Sequence, residues 1–407
     1  MPTQNRFGHQ NYPSTSLLPP IYRSMETALP PSSDPIPSRL EKLHIRHALL
    51  VHGTFLGPDP LGLLALLEGF SQELPTAFRT AILAGTQLFG SQAHHVTDFL
   101  AGDIGNYSSE VCESFQQLTG SATSIERLHP SWSSENNHLA RAQLALKLLL
   151  WLEDFTGNGF TPTEDRILFW GHSHAGNGFA LLSNLLGGDS DSRTAFFDRI
   201  GDSLGSLGTT ARKLLATAPT PHPMAQALHL VTFGTPVRYG WDTDGYRSLT
   251  HWIHHRPLNE EAPEKSPPAL LVGTDSDPDF SSQGIRDILS ARYGDWVQSF
   301  AIAGTDLPPT LHREENRNLG DLLERTLPEQ TPEAIRDRID IVGRRWKTAP
   351  RLHTDGQNVL ARFSPTQTTR FGPEHATILG HGVYTTVNWL PRILWETLGV
   401  LESAAGL

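Results

Sequence analysis

The residues with the clearest capacity for chemistry are Gly171-His172-Ser173-His174-Ala175-Gly176. A serine hydroxyl is a useful nucleophile only when it stands clear of the backbone, and a sharp turn between a strand and a helix puts it there. The flanking residues fit such a turn. Ile167 to Trp170 form a short apolar run of β-forming type, and Phe179, Leu182, Leu185 and Leu186 recur at helical spacing. A helix starting just after Ser173 aims its first N–H groups at any negative charge that develops beside the hydroxyl. Gly171 meets the small-residue requirement of a G-x-S-x-G turn, and Ala175 departs from it by one methyl group. The bland alternative is a serine that merely caps the helix.

Serine chemistry needs an imidazole to take the hydroxyl proton and a carboxylate to hold the imidazole in the right tautomer. Downstream, Asp306 follows the expected strand Val297–Ala303, and His381 stands between two glycines just before the last helix. His375 and His353 compete with His381. Asp242, after the strand 228–233, and Asp355, in a turn-like HTDG, compete with Asp306. An oxyanion needs backbone donors. His52-Gly53-Thr54-Phe55 ends a strand over 45–51 and places one donor at Thr54; the residue after the serine, His174, supplies the second. Tyr239 and Trp241, near a strand end, are candidate cleft walls.

The elements that must position these residues alternate. Strands are expected at 45–51, 124–128, 167–170, 228–233, 297–303 and 358–363, with apolar helices at 139–155, after Ser173, and from Val387 to Leu401. Strands each followed by a helix or long loop call for a mostly parallel α/β sheet with helices on both faces. Residues 1–44, rich in Pro and Ser, read as an extended or partly disordered arm, or one wrapped over the domain. The rest, 45–407, reads as one α/β domain. Within it, 188–225 is a candidate cap or lid and 256–294 a loop-rich insertion.

Composition excludes several classes. The 407 residues carry a formal charge of −11, which argues against a general binder of nucleic acid or anionic membranes. No apolar run is long enough to span a bilayer, and the amino terminus has no export signal, so the expected location is cytoplasmic with no integral membrane association. The single cysteine, Cys112, rules out an internal disulfide. Asp275, Asp277 and Asp279 resemble the start of a calcium loop, but Phe280 and Arg286 occupy the positions of its glycine and closing glutamate. His251, His254 and His255 fall at a spacing that gathers on one helix face, without a carboxylate or cysteine partner. No metal or cofactor is expected.

Taken together, HGTF at 52–55, GHSHAG at 171–176, TFGTP at 232–236, GTD at 304–306 and GHGVYT at 380–385 resemble the α/β-hydrolase superfamily, particularly its lipase and esterase branch. The order Ser, Asp, His is that of the superfamily. The resemblance implies a catalytic triad of Ser173 as nucleophile, His381 as general base then acid, and Asp306 as its orienting carboxylate. Thr54 and His174 would form the oxyanion hole. Phe55, Trp241 and Tyr384 are expected to line an apolar acyl site. The implied activity is a serine hydrolase cleaving carboxylic esters, of small molecules or lipid-like substrates, through an acyl-serine intermediate. A serine amidase, thioesterase or acyltransferase shares every residue named, and a catalytically inactive hydrolase fold serving as a binding module is the reading from another class.

Overall fold

The computed structural model describes residues 18–28, 30, 35–53, 107–121, 123–127, 135–156, 159–236, 238–255, 290–292, 294–295, 297–298, 311–323, 353, 355–369 and 372–407. The strands are β1 (Ile21–Met25), β2 (Ile45–Val51), β3 (Ser124–Arg127), β4 (Arg166–His172), β5 (Leu228–Phe233), β6 (Ser248–His254) and β7 (Gln357–Phe363). They form one sheet of seven in the order β1-β7-β6-β5-β4-β2-β3. Every neighbouring pair is parallel.

Parallel strands need crossovers, and crossovers cover both faces of the sheet. That is why β4 and β5 are buried at every position rather than at alternate ones. The helices are α1 (Ile36–Lys42), α2 (Ser109–Thr119), α3 (His138–Thr156), α4 (Ala175–Gly187), α5 (Ser190–Ile200), α6 (Gly205–Thr217), α7 (Arg313–Leu323) and α8 (Leu390–Ala405). Ile167 and Phe169 of β4 face one core, with Leu144 and Leu148 of α3, Leu182 of α4, Phe196 of α5, Leu215 of α6 and Leu319 of α7. Leu168 and Trp170 face the other, with Leu40 of α1, Phe115 of α2 and Leu394 of α8. The period-two alternation of the strand thus sorts one apolar run into two cores. Trp170 locks the second, edge-on to Phe115 at 5.3 Å and tilted on Phe233 at 4.5 Å.

From β2 the chain moves outward to β3, then returns to β4 on the other side of β2. The connection leaving β2 passes through α2 on one face, and the connection leaving β4 passes through α4 on the other. The carboxyl ends of β2 and β4 therefore flank a topological switch point, where open α/β sheets leave a crevice.

Several elements differ from expectation. Residues 21–25, inside the supposed arm, pair in parallel with β7 as an edge strand, and 36–42 are helical. Strand β6 replaces the helix face imagined for the histidines, so His251 and His254 point to opposite sides of the sheet. Val297 and Gln298, the expected start of a strand, lie in a π-helical turn; the remainder of that stretch is outside the described residues. The segment 188–225 folds as α5 and α6 and packs Phe196, Phe197, Ile200, Ala211 and Leu215 into the first core. Arg193 ties it down further, its guanidinium donating to the carbonyls of Leu185, Leu186, Leu215, Ala218 and Pro219.

Candidate active site

Ser173 sits where β4 gives way to α4, at the turn its flanking residues call for. Its φ is +55°, a left-handed conformation that costs a non-glycine residue about 1–3 kcal/mol and persists only where surroundings enforce it. The enforcement is visible: the Ser173 N–H donates to the Phe233 carbonyl at 2.8 Å, and the Thr235 hydroxyl donates to the Ser173 carbonyl at 2.7 Å. Both partners come from the TFGTP stretch leaving β5. Glycine is required on either side because a Cβ at Gly171 would strike the Phe179 ring and one at Gly176 would strike the Thr235 side chain. The close approach after the serine is made by Gly176, which explains why Ala175 is accommodated. The Ser173 hydroxyl is buried and has no hydrogen-bond partner.

His381, from the Gly-His-Gly turn ahead of α8, carries a carboxylate on one ring nitrogen. Its Nδ1 lies 2.7 Å from Asp295 Oδ2, and both side chains are fully buried. The imidazole is seated over the same stretch that holds the serine. A Cβ on Gly234, whose φ is +56°, would lie 2.6 Å from Asp295 Oδ2, 2.7 Å from Tyr384 Cε2 and 2.9 Å from His381 Cε1. Only glycine fits there. His172, next to the serine, packs its ring 4.4 Å from that of His381, and its Nε2 donates to the His381 carbonyl at 3.1 Å. Serine and imidazole thus both lie against the stretch leaving β5, but Ser173 Oγ makes no hydrogen bond to His381 Nε2.

Asp295 is itself held from three sides. The Gln298 N–H donates to Oδ1 at 2.7 Å, the Tyr384 hydroxyl donates to Oδ2 at 3.1 Å, and the Asp295 N–H donates to the carbonyl of His254 at the end of β6 at 3.0 Å. The Tyr384 oxygen in turn accepts the His254 N–H at 2.6 Å, and His254 Nδ1 donates to the Gly380 carbonyl at 2.9 Å. The end of β6 therefore fixes both the acid and the turn bearing the imidazole.

Of the residues expected from sequence, Ser173, His174, His381 and Tyr384 meet here. Asp306, Thr54 and Phe55 lie outside the described residues; the carboxylate that engages His381 is Asp295. Gly53, beside Thr54, does abut the elbow, since a Cβ on it would stand 2.5 Å from Ser173 Cβ. His174 opens α4, so its amide belongs to the helix's first turn, whose N–H groups have no intrahelical acceptor. Tyr384 braces Asp295 with its hydroxyl, where an acyl-site wall was expected. Trp241 is packed edge-on against Tyr246 at 6.3 Å and His251 at 5.3 Å within the first core.

Two of the rivals, Asp242 and His353, make other side-chain contacts. Asp242 caps a 3₁₀ turn, accepting the Asp244 N–H at 3.0 Å. His353 stacks on His251 at 3.6 Å and donates from Nε2 to the Thr235 carbonyl at 3.1 Å, while Asp355 offers its carbonyl to His251. His375 lies in the 3₁₀ turn Glu374–Ala376. Sequence reasoning missed Asp295 because it looked for an acid after the strand expected at 297–303. The strand that Asp295 answers to is β6, whose two histidines, with the adjoining His255, suggested a helix face.

Among the described residues, no group of three or more His, Cys, Asp or Glu side chains is placed to hold a metal, and no helix is long and apolar enough to cross a membrane. No protein family, curated protein or solved structure matches this chain, so its chemistry has to be read from its own geometry.

Proposed function

We propose that this chain is a serine hydrolase that cleaves carboxylic esters through an acyl-serine intermediate, with Ser173 as nucleophile, His381 as general base and Asp295, in place of Asp306, as the orienting carboxylate. The observation that carries this reading is the buried His381–Asp295 pair at 2.7 Å, seated on the residues that hold Ser173 in its strained turn. The resemblance to α/β-hydrolases agrees with it but is an analogy of pattern.

In this reading Ser173 Oγ attacks the ester carbonyl as its proton passes to His381 Nε2. The tetrahedral oxyanion is met by the His174 N–H and a second amide from the loop after Gly53, where Thr54 is the expected donor. His381 returns the proton to the leaving alkoxide as the C–O bond breaks. Water, deprotonated by the same nitrogen, then releases the acid and restores Ser173. Asp295 keeps the proton on Nδ1 and offsets the imidazolium charge throughout.

Full burial of Ser173, His381 and Asp295 means that a substrate reaches the hydroxyl only after what covers it gives way. The same burial, and the lack of a hydrogen bond between Ser173 Oγ and His381 Nε2, favour the other reading, a catalytically inactive fold used for binding. Labelling with a fluorophosphonate decides between them: wild type labels and Ser173→Ala does not if the hydrolase reading holds, and absence of labelling in the folded wild type overturns it. Matched p-nitrophenyl esters, amides and thioesters then fix the bond cleaved.

A further inference from the structure

At the amino ends of β2 and β4, the end of the sheet away from Ser173, lies an open cavity of about 610 Å³. Its walls come from the start of β2, the edge strand β3, the last two turns of α3 and the loop 159–165 that enters β4. A volume of this order suits a small molecule, since ligand sites run from roughly 300 to 1,000 Å³.

Aromatic rings form the centre of that wall. Phe155 is edge-on to Trp151 at 4.4 Å, to His47 at 4.6 Å and to Phe160 at 5.7 Å. A spacing of four along α3 brings Trp151 and Phe155 to one face of the helix. Trp151, Phe155 and Phe160 pack against the first core but are only partly buried, so the core leaves part of each ring to the cavity. Burial holds the His47 pKa below its ordinary value in spite of the attraction of Glu126 and Asp165, so its imidazole is a neutral ring at neutral pH. Its Nδ1 is buried and makes no hydrogen bond to the protein.

The charges beside these rings are mostly negative. Glu126, Asp154 and Asp165 line the cavity with one cation among them, Arg46, which lies 3.8 Å from Asp165. Glu126 accepts the Trp151 Nε1–H at 2.8 Å, which fixes the indole beside a full negative charge. The carboxyl-terminal end of α3 adds a negative partial charge to the same wall. Aromatic faces attract a cation through their quadrupole, and a carboxylate beside them adds a direct Coulombic attraction. A primary ammonium brings three N–H donors that each call for an acceptor, whereas an alkylated ammonium brings its charge wrapped in apolar surface. Four rings with carboxylates at their margin match the second.

We propose that this cavity binds a small organic cation, an alkylated ammonium, through the rings of His47, Trp151, Phe155 and Phe160 and the charge of Glu126. The site is separate from Ser173 and does not depend on the hydrolase reading.

Calorimetry on the folded wild-type chain tests it with choline, with the uncharged isostere 3,3-dimethyl-1-butanol and with n-butylammonium. Choline is expected to bind about tenfold more tightly than the isostere. Equal binding of those two would make the cavity merely apolar, tighter binding of n-butylammonium would make it a site for a hydrogen-bonding amine, and binding of none would reduce the rings to core packing. Each of these results overturns the proposal. Glu126→Gln removes the charge from an exposed position and keeps an oxygen for the indole N–H, so the fold is expected to hold while choline weakens several-fold, less so at high salt. Trp151→Leu is expected to weaken choline about tenfold. Choline binding that is unchanged in both variants would place it elsewhere on the molecule and sink the proposal.

Discussion

Two buried histidines at opposite ends of the sheet have opposite surroundings. At the carboxyl ends of the strands, His381 has a carboxylate 2.7 Å from Nδ1. At the amino end of β5, His229 has the Ser248 hydroxyl 2.6 Å from Nδ1, and burial, then the charges of Arg247 and Arg166, push its pKa down to about 3. Burial by itself disarms an imidazole, because the charged form is left without solvation. A carboxylate on one nitrogen reverses that by compensating the charge that appears when the other nitrogen takes a proton. In the proposed reading His381 has the carboxylate a general base needs, whereas His229 is uncharged at neutral pH, although both are nearly out of reach of water.

The hardest blow to this contrast is removal of the reacting groups. Ser173→Ala or His381→Ala is expected to lower ester kcat by about 10⁴-fold or more, with the far-ultraviolet spectrum unchanged. An active His381→Ala protein would make His381 as idle as His229.

Next in size is the carboxylate. Asp295→Asn is expected to cost about 10³- to 10⁴-fold in kcat, because an amide neither fixes the tautomer nor offsets the imidazolium. Asp242→Asn is expected to leave kcat within a few-fold. Should Asp306→Asn carry the large loss and Asp295→Asn the small one, the acid is Asp306 after all.

The other side of the comparison is read from stability. The folded pKa of His229, about 3, lies below its unfolded value of about 6.5, so the unfolded chain binds the proton first as the pH falls. The contribution of neutral His229 is intact above pH ~6.5 and is lost progressively toward pH ~3, to a total of roughly 4–5 kcal/mol. Urea midpoints for wild type and His229→Asn at pH 7.5 and 4.5 check this. A variant with the same pH slope as wild type would show that His229 carries none of it.

The smallest effect sharpens the site itself. Tyr384→Phe removes one of the donors to Asp295 and leaves the His254 N–H without its acceptor, so it is expected to lose about 1–3 kcal/mol of stability and to lower kcat several-fold. The pH profile of kcat/KM should move with it. A change in stability with an unmoved profile would reduce Tyr384 to packing.

What could be read in the sequence is what neighbours along the chain decide. Strand, turn and helix around Ser173 follow from local spacing and from small residues on either side of the serine. The strands β2, β3, β5 and β7 stand out as short β-forming runs, and continuous burial of β4 and β5 follows from a parallel sheet. His381 stood out as a candidate because two glycines flank it just before the closing helix. Tertiary structure alone paired His381 with Asp295, 86 residues away and bonded to the end of β6, whose period was hidden by His251, His254 and the adjoining His255. It alone set the Tyr384 hydroxyl against Asp295. Side-chain period and turn chemistry act over a few residues. The partner of a buried charge is set by which distant strands pair, and no local pattern encodes that.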